Sequence, residues 1–336
     1  MPAVQLDCGS YAVGFAAMMS QPQGAFYIDL KNATLLEVID EYIKFKEIRR
    51  PNFGKAWSTT KMYITKLQFL SPRPIMPMDV GEIFYPYLIQ CMLSHGCATS
   101  TVEHTLCQIR SAIGFGSRYG ATISPTYDKF DFVGRNKQKT ILSHSELCHI
   151  YYYDISTIRR PDGKRYNKQW YEIAERVRDM LIFSSIFGQR HSDSVRITQE
   201  NFDGERFTIT QQKTGNNVSF NYLEYAFDKR IARSLLVKYD YCSPYTGHIA
   251  NYNKRIKEVI KAIGGEFLMD IVTEEKIQGK IVRTVRPRYE AIASHTARRS
   301  AISYWANKGK SPQWIKKMSG HTDLRSLSKY MLDEED

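Results

Sequence analysis

Apolar side chains recur at helical spacing from Leu35 onward. Leu35, Leu36, Ile39, Tyr42 and Ile43 share one face, Val38 and Phe45 widen it, and Pro51-Asn52-Phe53-Gly54 marks its end. A second helix carries Tyr63, Ile64, Leu67 and Leu70 into Ser71-Pro72-Arg73-Pro74. Val80 to Leu93, kinked at Pro86, and Thr101 to Arg118 are predicted as two more. Residues 1–30 mix Gly, Gln, Ser and Pro with short apolar pieces of no stable period and read as an N-terminal arm. The first portion, residues 31–125, is therefore expected to be all helical.

Beyond Gly120 the chain turns rich in Pro, Asp, Gly, Lys and Arg around Lys129-Phe130-Asp131-Phe132-Val133-Gly134-Arg135, and a linker is placed at residues 126–140. Ser143 followed by Glu146 has the form of a capping box, so a new helix and a second domain, residues 141–336, are expected from there. Helices are predicted near 143–154 and 167–187. The period then changes. From Arg206 to Tyr222 polar and apolar residues alternate about a turn at Thr214 to Asn217, the pattern of a β-hairpin. Asn251 to Ile263 returns to helix, and Phe267 to Val285 reads as a loop with short strands near Ile281 to Val285. A helix from His295 to Ala306 ends at Gly309, and Ser311-Pro312 supplies a cap and first position for the next. Gly320 precedes a last short helix carrying Tyr330. The fold class expected is mainly α with a small β-sheet or hairpin in an α+β second domain.

Composition narrows the functional classes. With 336 residues, 43% of them hydrophobic, the chain has material for a core and is not a disordered tail. Lys and Arg exceed Asp and Glu by 47 to 35, a formal charge of +12 that suits a polyanionic partner and equally a soluble basic surface. The stretch Ala12 to Met19 is far too short to span a membrane and follows no basic leader, so a cytoplasmic protein without signal or anchor is expected. Six cysteines form no Cys-x-x-Cys pair, and reduced structural thiols are expected rather than disulfides or zinc ligands.

The most informative segment is His295-Thr296-Ala297-Arg298-Arg299-Ser300, followed by Gly320-His321 and Tyr330. Three residues apart on a helix, His295 and Arg298 share a face, so an imidazole and a guanidinium fork can serve one phosphate. Here the sequence resembles the tyrosine recombinases, the phage integrase family. Phe187-Gly188-Gln189-Arg190-His191-Ser192-Asp193 occupies the place of the family's first arginine motif, with Arg190 the match. Gln212-Lys213-Thr214-Gly215 lies in the predicted hairpin where the family has its lysine. His295 and Arg298 match its His-x-x-Arg, Ser319-Gly320-His321 its Leu-Gly-His, and Tyr330, nine residues on, its nucleophile. Gln189 stands in place of the usual Leu, Asp193 for the commoner Glu and Ser319 for Leu. The match covers residues 141–331 closely, whereas residues 34–120 look like the family's core-binding domain in pattern only.

The resemblance implies a two-domain, C-shaped clamp on double-stranded DNA and a site-specific recombinase or integrase of a mobile element or prophage. It implies strand cleavage by Tyr330 through a covalent 3′-phosphotyrosine, with His295 as base, Arg190 and Arg298 on the non-bridging oxygens, His321 adding a hydrogen bond and Lys213 protonating the departing 5′-oxygen. Asp193 would orient Arg190 or its neighbours. No metal, cofactor or ATP is required. Four protomers on two sites, a monomer off DNA and accessory DNA-bending or directionality proteins are the partners implied, with no membrane. Thr60, Lys61, Lys66, Ser100, Thr101, Arg110 and Arg299 are further candidates for phosphate contacts, because short polar and cationic groups follow a DNA backbone. Tyr151, Tyr152 and Tyr153, and Trp305 and Trp314, are expected to pack. The rival readings are a type IB topoisomerase-like relaxing enzyme and an inactive DNA-binding protein of the same fold.

Overall fold

A computed structural model describes residues 28–130, 132, 140–277, 280–321 and 327. The chain divides into two compact units, one of residues 1–136 with 275–282, the other of residues 137–274 and 283–336. Among the described residues no helix is long and apolar enough to cross a membrane.

The first unit is helical: α1 (Leu35–Glu47), α2 (Ser58–Leu70), α3 (Phe84–Ser94) and α4 (Thr99–Arg118). Thr34 and Glu37 cap α1 reciprocally, and its buried face of Leu35, Val38, Ile39, Tyr42 and Ile43 packs on α4. The ring of Tyr42 meets Trp57 at 5.4 Å and Phe115 at 5.3 Å. Two expectations need correction. The helix predicted over Val80 to Leu93 begins only at Phe84, so Pro86 falls in its first turn, where the missing N–H has no intrahelical acceptor to serve and no kink results. The supposed arm does not extend through residue 30, because Leu30 is buried in this core and its N–H donates to Tyr119 O at 2.9 Å. Residues 1–27 and most of the predicted linker, 131 and 133–139, lie outside the described residues.

From residue 137 on, the chain runs α5 (His144–Tyr152), α6 (Lys168–Phe187), α7 (His191–Ser194), β1 (Phe202–Asp203), β2 (Arg206–Thr210), β3 (Asn217–Asn221), α8 (Tyr222–Tyr225), α9 (Lys229–Lys238), α10 (Ile249–Ile263), β4 (Asp270–Ile277), β5 (Lys280–Pro287), α11 (Ser294–Asn307) and α12 (Pro312–Ser319), all in the second unit except residues 275–282. The Ser143–Glu146 capping box is formed. Every residue of α6 from Val177 to Phe187 is buried, which makes it the central helix, with α9, α10 and α11 against it. β1, β2 and β3 form an antiparallel sheet whose register sets Phe207 opposite Phe220 and Ile209 opposite Val218 on the inner face. α12 packs on β3 and α11.

The strand expected near Ile281 to Val285 is present as β5, but the stretch before it, expected as a loop, is a 3₁₀ turn followed by β4, which pairs with β5 in a two-stranded sheet. Trp305 and Trp314 pack as expected: Trp314 stacks on Tyr225 at 3.8 Å, and Trp305 Nε1 donates to Tyr225 O. Tyr151 and Tyr153 pack against the core, but Tyr152 is 69% exposed because it sits at the last turn of α5, on the face turned from α6.

Candidate active site

Four segments of the second unit converge through hydrogen bonds: the turn leaving α6, the β2–β3 turn, the start of α11 and the end of α12. Gly188 ends α6 in the left-handed region, φ 62°, and delivers Gln189 and Arg190. Arg190 caps α7 by position, and its Nη1 donates to Gln211 Oε1 at 3.1 Å. Arg298, on the second turn of α11, is only 1% exposed. Its Nη1 donates to Gly188 O at 2.8 Å, and its Nη2 lies 3.3 Å from His321 Nε2. The other ring nitrogen of His321, Nδ1, pairs with Ser319 Oγ at 2.8 Å. A buried arginine thus ties the turn bearing Arg190 to the turn bearing His321.

Lys213 stands exposed at the tip of the β2–β3 turn. That turn is held from below by Asp193, which is fully buried. Its Oδ1 accepts the Gln212 N–H at 2.8 Å and Arg196 Nη2 at 3.0 Å. Asp193 therefore sets the backbone beside Lys213 and pairs with Arg196; the hydrogen bond from Arg190 goes to Gln211.

His295, one residue into α11, feels all of this. Burial lowers its pKa first, and the positive charges of Arg299, Arg298, Arg190 and Lys213 lower it further, from an ordinary 6.5 to about 4. At neutral pH the ring is uncharged, and the negative charge of a bound phosphate would raise its proton affinity again. The arrangement is a cationic pocket of two arginines and a lysine around a neutral base, suited to binding a phosphodiester and stabilising the charge that develops when it is attacked.

Of the residues singled out from sequence, Arg190, Lys213, His295, Arg298 and His321 come together, with Arg299 beside them. Tyr330 lies outside the described residues, as does most of the predicted last helix; of that segment only Leu327 is described, buried in the core of this unit. The candidates in the first unit fare differently. Thr60 is fully buried and its hydroxyl bonds Gln108 and Thr105, so it is unavailable to a phosphate and belongs to the core. Arg110 is folded back over the ring of Tyr85 at 5.7 Å, which turns its charge toward its own unit. Lys61 pairs with Asp40 at 2.6 Å, and Lys66 lies over Tyr63. Ser100 is exposed and Thr101 half-buried in the first turn of α4.

Two residues that organise the site were not singled out as functional from the sequence. Gln189 and Gln211 are both fully buried at its floor. A signal existed: Gln211 continues the inward phase of Phe207 and Ile209, so it is a polar side chain where alternation calls for an apolar one. Away from the site, His144, Cys148 and Asp228 bring ligand atoms within 4.8 Å of one another. Each has another role, since His144 and Cys148 bond one turn apart on α5 and Asp228 caps α9. Cys91, Cys97, Cys107, Cys148 and Cys242 are free thiols.

No family model matches the chain, and no curated protein resembles it in sequence. Solved structures share its fold. A lambda integrase fragment, in a dimer bound to a COC′ core site, superposes with a TM-score of 0.63 at 14% identity over 90% of this chain and 96% of that one. A lambda integrase tetramer bound to a Holliday junction gives 0.62 at 13% identity, covering 100% and 89%. XerH site-specific recombinase, in a post-cleavage complex with palindromic difH DNA, gives 0.54 at 13% identity over 87% and 79%. The mainly helical architecture with small antiparallel sheets is thus that of integrases and site-specific recombinases.

Proposed function

We propose that the chain is a site-specific DNA recombinase of the integrase type, which breaks and rejoins DNA strands through a 3′-phosphotyrosine on Tyr330. The observation that carries this is the convergence of Arg190, Lys213, His295, Arg298 and His321, drawn from four separate segments, on one cationic pocket around a neutral imidazole. The fold shared with DNA-bound integrases and recombinases supports the same reading.

In this scheme the Tyr330 hydroxyl attacks the phosphorus while His295 takes its proton. The phosphorus–O5′ bond breaks, and Lys213 gives a proton to the departing 5′-oxygen. A tyrosine of ordinary pKa near 10 needs roughly 4 kcal/mol to ionise at pH 7, which is why a base and a cationic pocket are wanted. Arg190 and Arg298 hold the non-bridging oxygens, and His321 adds a hydrogen bond. Attack by a second 5′-hydroxyl reverses the step on another strand, so the bond energy is conserved. Side chains supply every proton and charge in the scheme, which calls for no metal, cofactor or ATP. Each unit would contact the duplex, and four protomers would assemble on two sites from a monomer free in solution, with accessory DNA-bending or directionality proteins selecting the direction. A cytoplasmic setting and a role in moving a mobile element follow from the same reading.

The test is covalent trapping. Nicked duplexes from the DNA flanking the protein's own gene are incubated with it, and adducts are resolved under denaturing conditions. A protein linked to a DNA 3′ end, absent in Tyr330→Phe, supports the proposal. Relaxation of any supercoiled plasmid without products joining two sites assigns a topoisomerase-like activity instead. Tight binding with no adduct on any DNA assigns an inactive DNA-binding protein.

A further inference from the structure

Gln189 and Gln211 form a buried amide pair beneath the pocket. Gln211 Nε2 donates to Gln189 Oε1 at 2.7 Å and to Ser319 O at 3.0 Å, while its Oε1 accepts from Arg190 Nη1 at 3.1 Å and from Thr214 Oγ1 at 3.0 Å. Gln189 Nε2 donates to Phe187 O at 2.9 Å and Met318 O at 2.6 Å. An amide offers two donors and an acceptor with two lone pairs, so Gln211 is saturated and Gln189 lacks only one acceptor bond. The orientation of Gln211 is fixed by its neighbours: turned over, its NH₂ would face the donors of Arg190 and Thr214.

The partners of the pair are informative. Phe187 closes α6, and Met318 and Ser319 close α12, so their carbonyls belong to the last turns, which have no intrahelical donor. One pair of side chains satisfies carbonyls at two helix ends and passes the remaining acceptor to the guanidinium of Arg190 and to the turn that bears Lys213. Gly320 makes the approach possible. A Cβ there would stand 2.6 Å from Gln211 Nε2.

We propose that Gln189 and Gln211 are positioning residues that lock Arg190, the Lys213 turn and the His321 turn into one arrangement, so that the pocket is assembled as a unit. Arg190 keeps its guanidinium in the pocket because Gln211 Oε1 receives it there. Among the described residues the pair bonds to backbone carbonyls, to Arg190 and to Thr214, so it would act through those groups. This inference rests on the recombinase reading for its consequence in catalysis, but not for its geometry.

The experiment combines Gln211→Leu, which keeps the volume and removes all four bonds, with Arg190→Lys, singly and together. Gln189→Leu serves as a second, milder variant. Single-turnover adduct formation is measured at saturating trapped-site duplex, well below each variant's unfolding temperature. Gln211→Leu is expected to slow it by about 10- to 100-fold, the range of one or two lost buried hydrogen bonds, with duplex affinity unchanged. In the Arg190→Lys background the same change is expected to cost clearly less than it does alone, because a share of the effect is exerted through Arg190 and the rest through the Lys213 and His321 turns. Multiplicative losses would overturn the inference.

A second readout needs no cleavage. In DNA-free protein, release of Arg190 removes one of the cations acting on His295, and the imidazole of Gln211→Leu is expected to titrate at a higher pH than in the parent. If rate and titration both match the parent, the pair does not position Arg190. If the parent itself forms no adduct while the titration still moves, the positioning role stands and the recombinase reading falls.

Discussion

Acid titration of His295 reads the arrangement of the cations around it. Its pKa falls from 6.5 to about 4, with burial the largest cause and Arg299, Arg298, Arg190 and Lys213 adding to it. At about 1.36 kcal/mol per pH unit this difference corresponds to roughly 3 kcal/mol; partial exposure of the ring and screening by salt discount it to about 2 kcal/mol. The folded pKa is depressed, so the unfolded chain takes up the proton first. The stability held by the neutral ring is complete above pH 6.5, is lost progressively between pH 6.5 and 4, and changes no further below. A His295→Gln variant lacks this dependence. The wild type is expected to lose about 2 kcal/mol relative to it across that window, roughly 4–8 °C in thermal midpoint for a unit of this size. NMR titration of histidine-labelled protein gives the pKa directly, and Arg298→Ala should raise it. Titration of His295 at 6.5 or above in the free protein would refute the reasoning, because four cations at these positions cannot leave an imidazole at its ordinary value.

Three further outcomes are expected. Gly320→Ala, at φ 63° with a Cβ 2.6 Å from both Gln211 Nε2 and Val218 Cγ2, should cost about 2–4 kcal/mol by thermal denaturation; Gly309→Ala, at φ 72° with nothing within 4 Å, should cost only about 1 kcal/mol of backbone strain. Arg298→Ala strips the donors from Gly188 O and His321 and is expected to reduce adduct formation by at least about 100-fold while also lowering the thermal midpoint. Asp193→Ala frees the Gln212 amide beside Lys213, so it should slow cleavage of ordinary DNA but spare DNA with a 5′-bridging phosphorothioate, whose thiolate leaving group needs no proton; equal loss on both substrates would separate Asp193 from Lys213.

The long periodic elements were legible in the sequence. α1, α5 and α12 start within a residue or two of where caps and apolar spacing put them, because Thr34, Ser143 and Ser311 offer oxygens to otherwise orphan amides. α3 was misread at its start, since Pro86 looks like an interruption until the helix is known to begin at Phe84. β4 was missed and β5 was foreseen only as short strands near Ile281 to Val285, because their faces do not separate: Val272, Val282 and Val285 are exposed, which blurs the alternation that marks a half-buried strand. At the site, the charged groups could be read because they carry motifs. Thr60 and Arg110 could not be assigned, since a helix pattern does not say which polar side chain turns inward to a Gln or folds over a ring. The alternation through Phe207 and Ile209 puts Gln211 on the inner face, but its bonds to Gln189, Arg190 and Ser319 span 21 to 108 residues, and no spacing along the chain reports such partners.

The central claim concerns a bond. Protein trapped on nicked DNA from the flanks of its own gene, digested and sequenced by mass spectrometry, is expected to yield one modified peptide, with the nucleotide 3′-phosphate on Tyr330. A peptide modified at another residue, or an adduct that persists in Tyr330→Phe, would contradict the account.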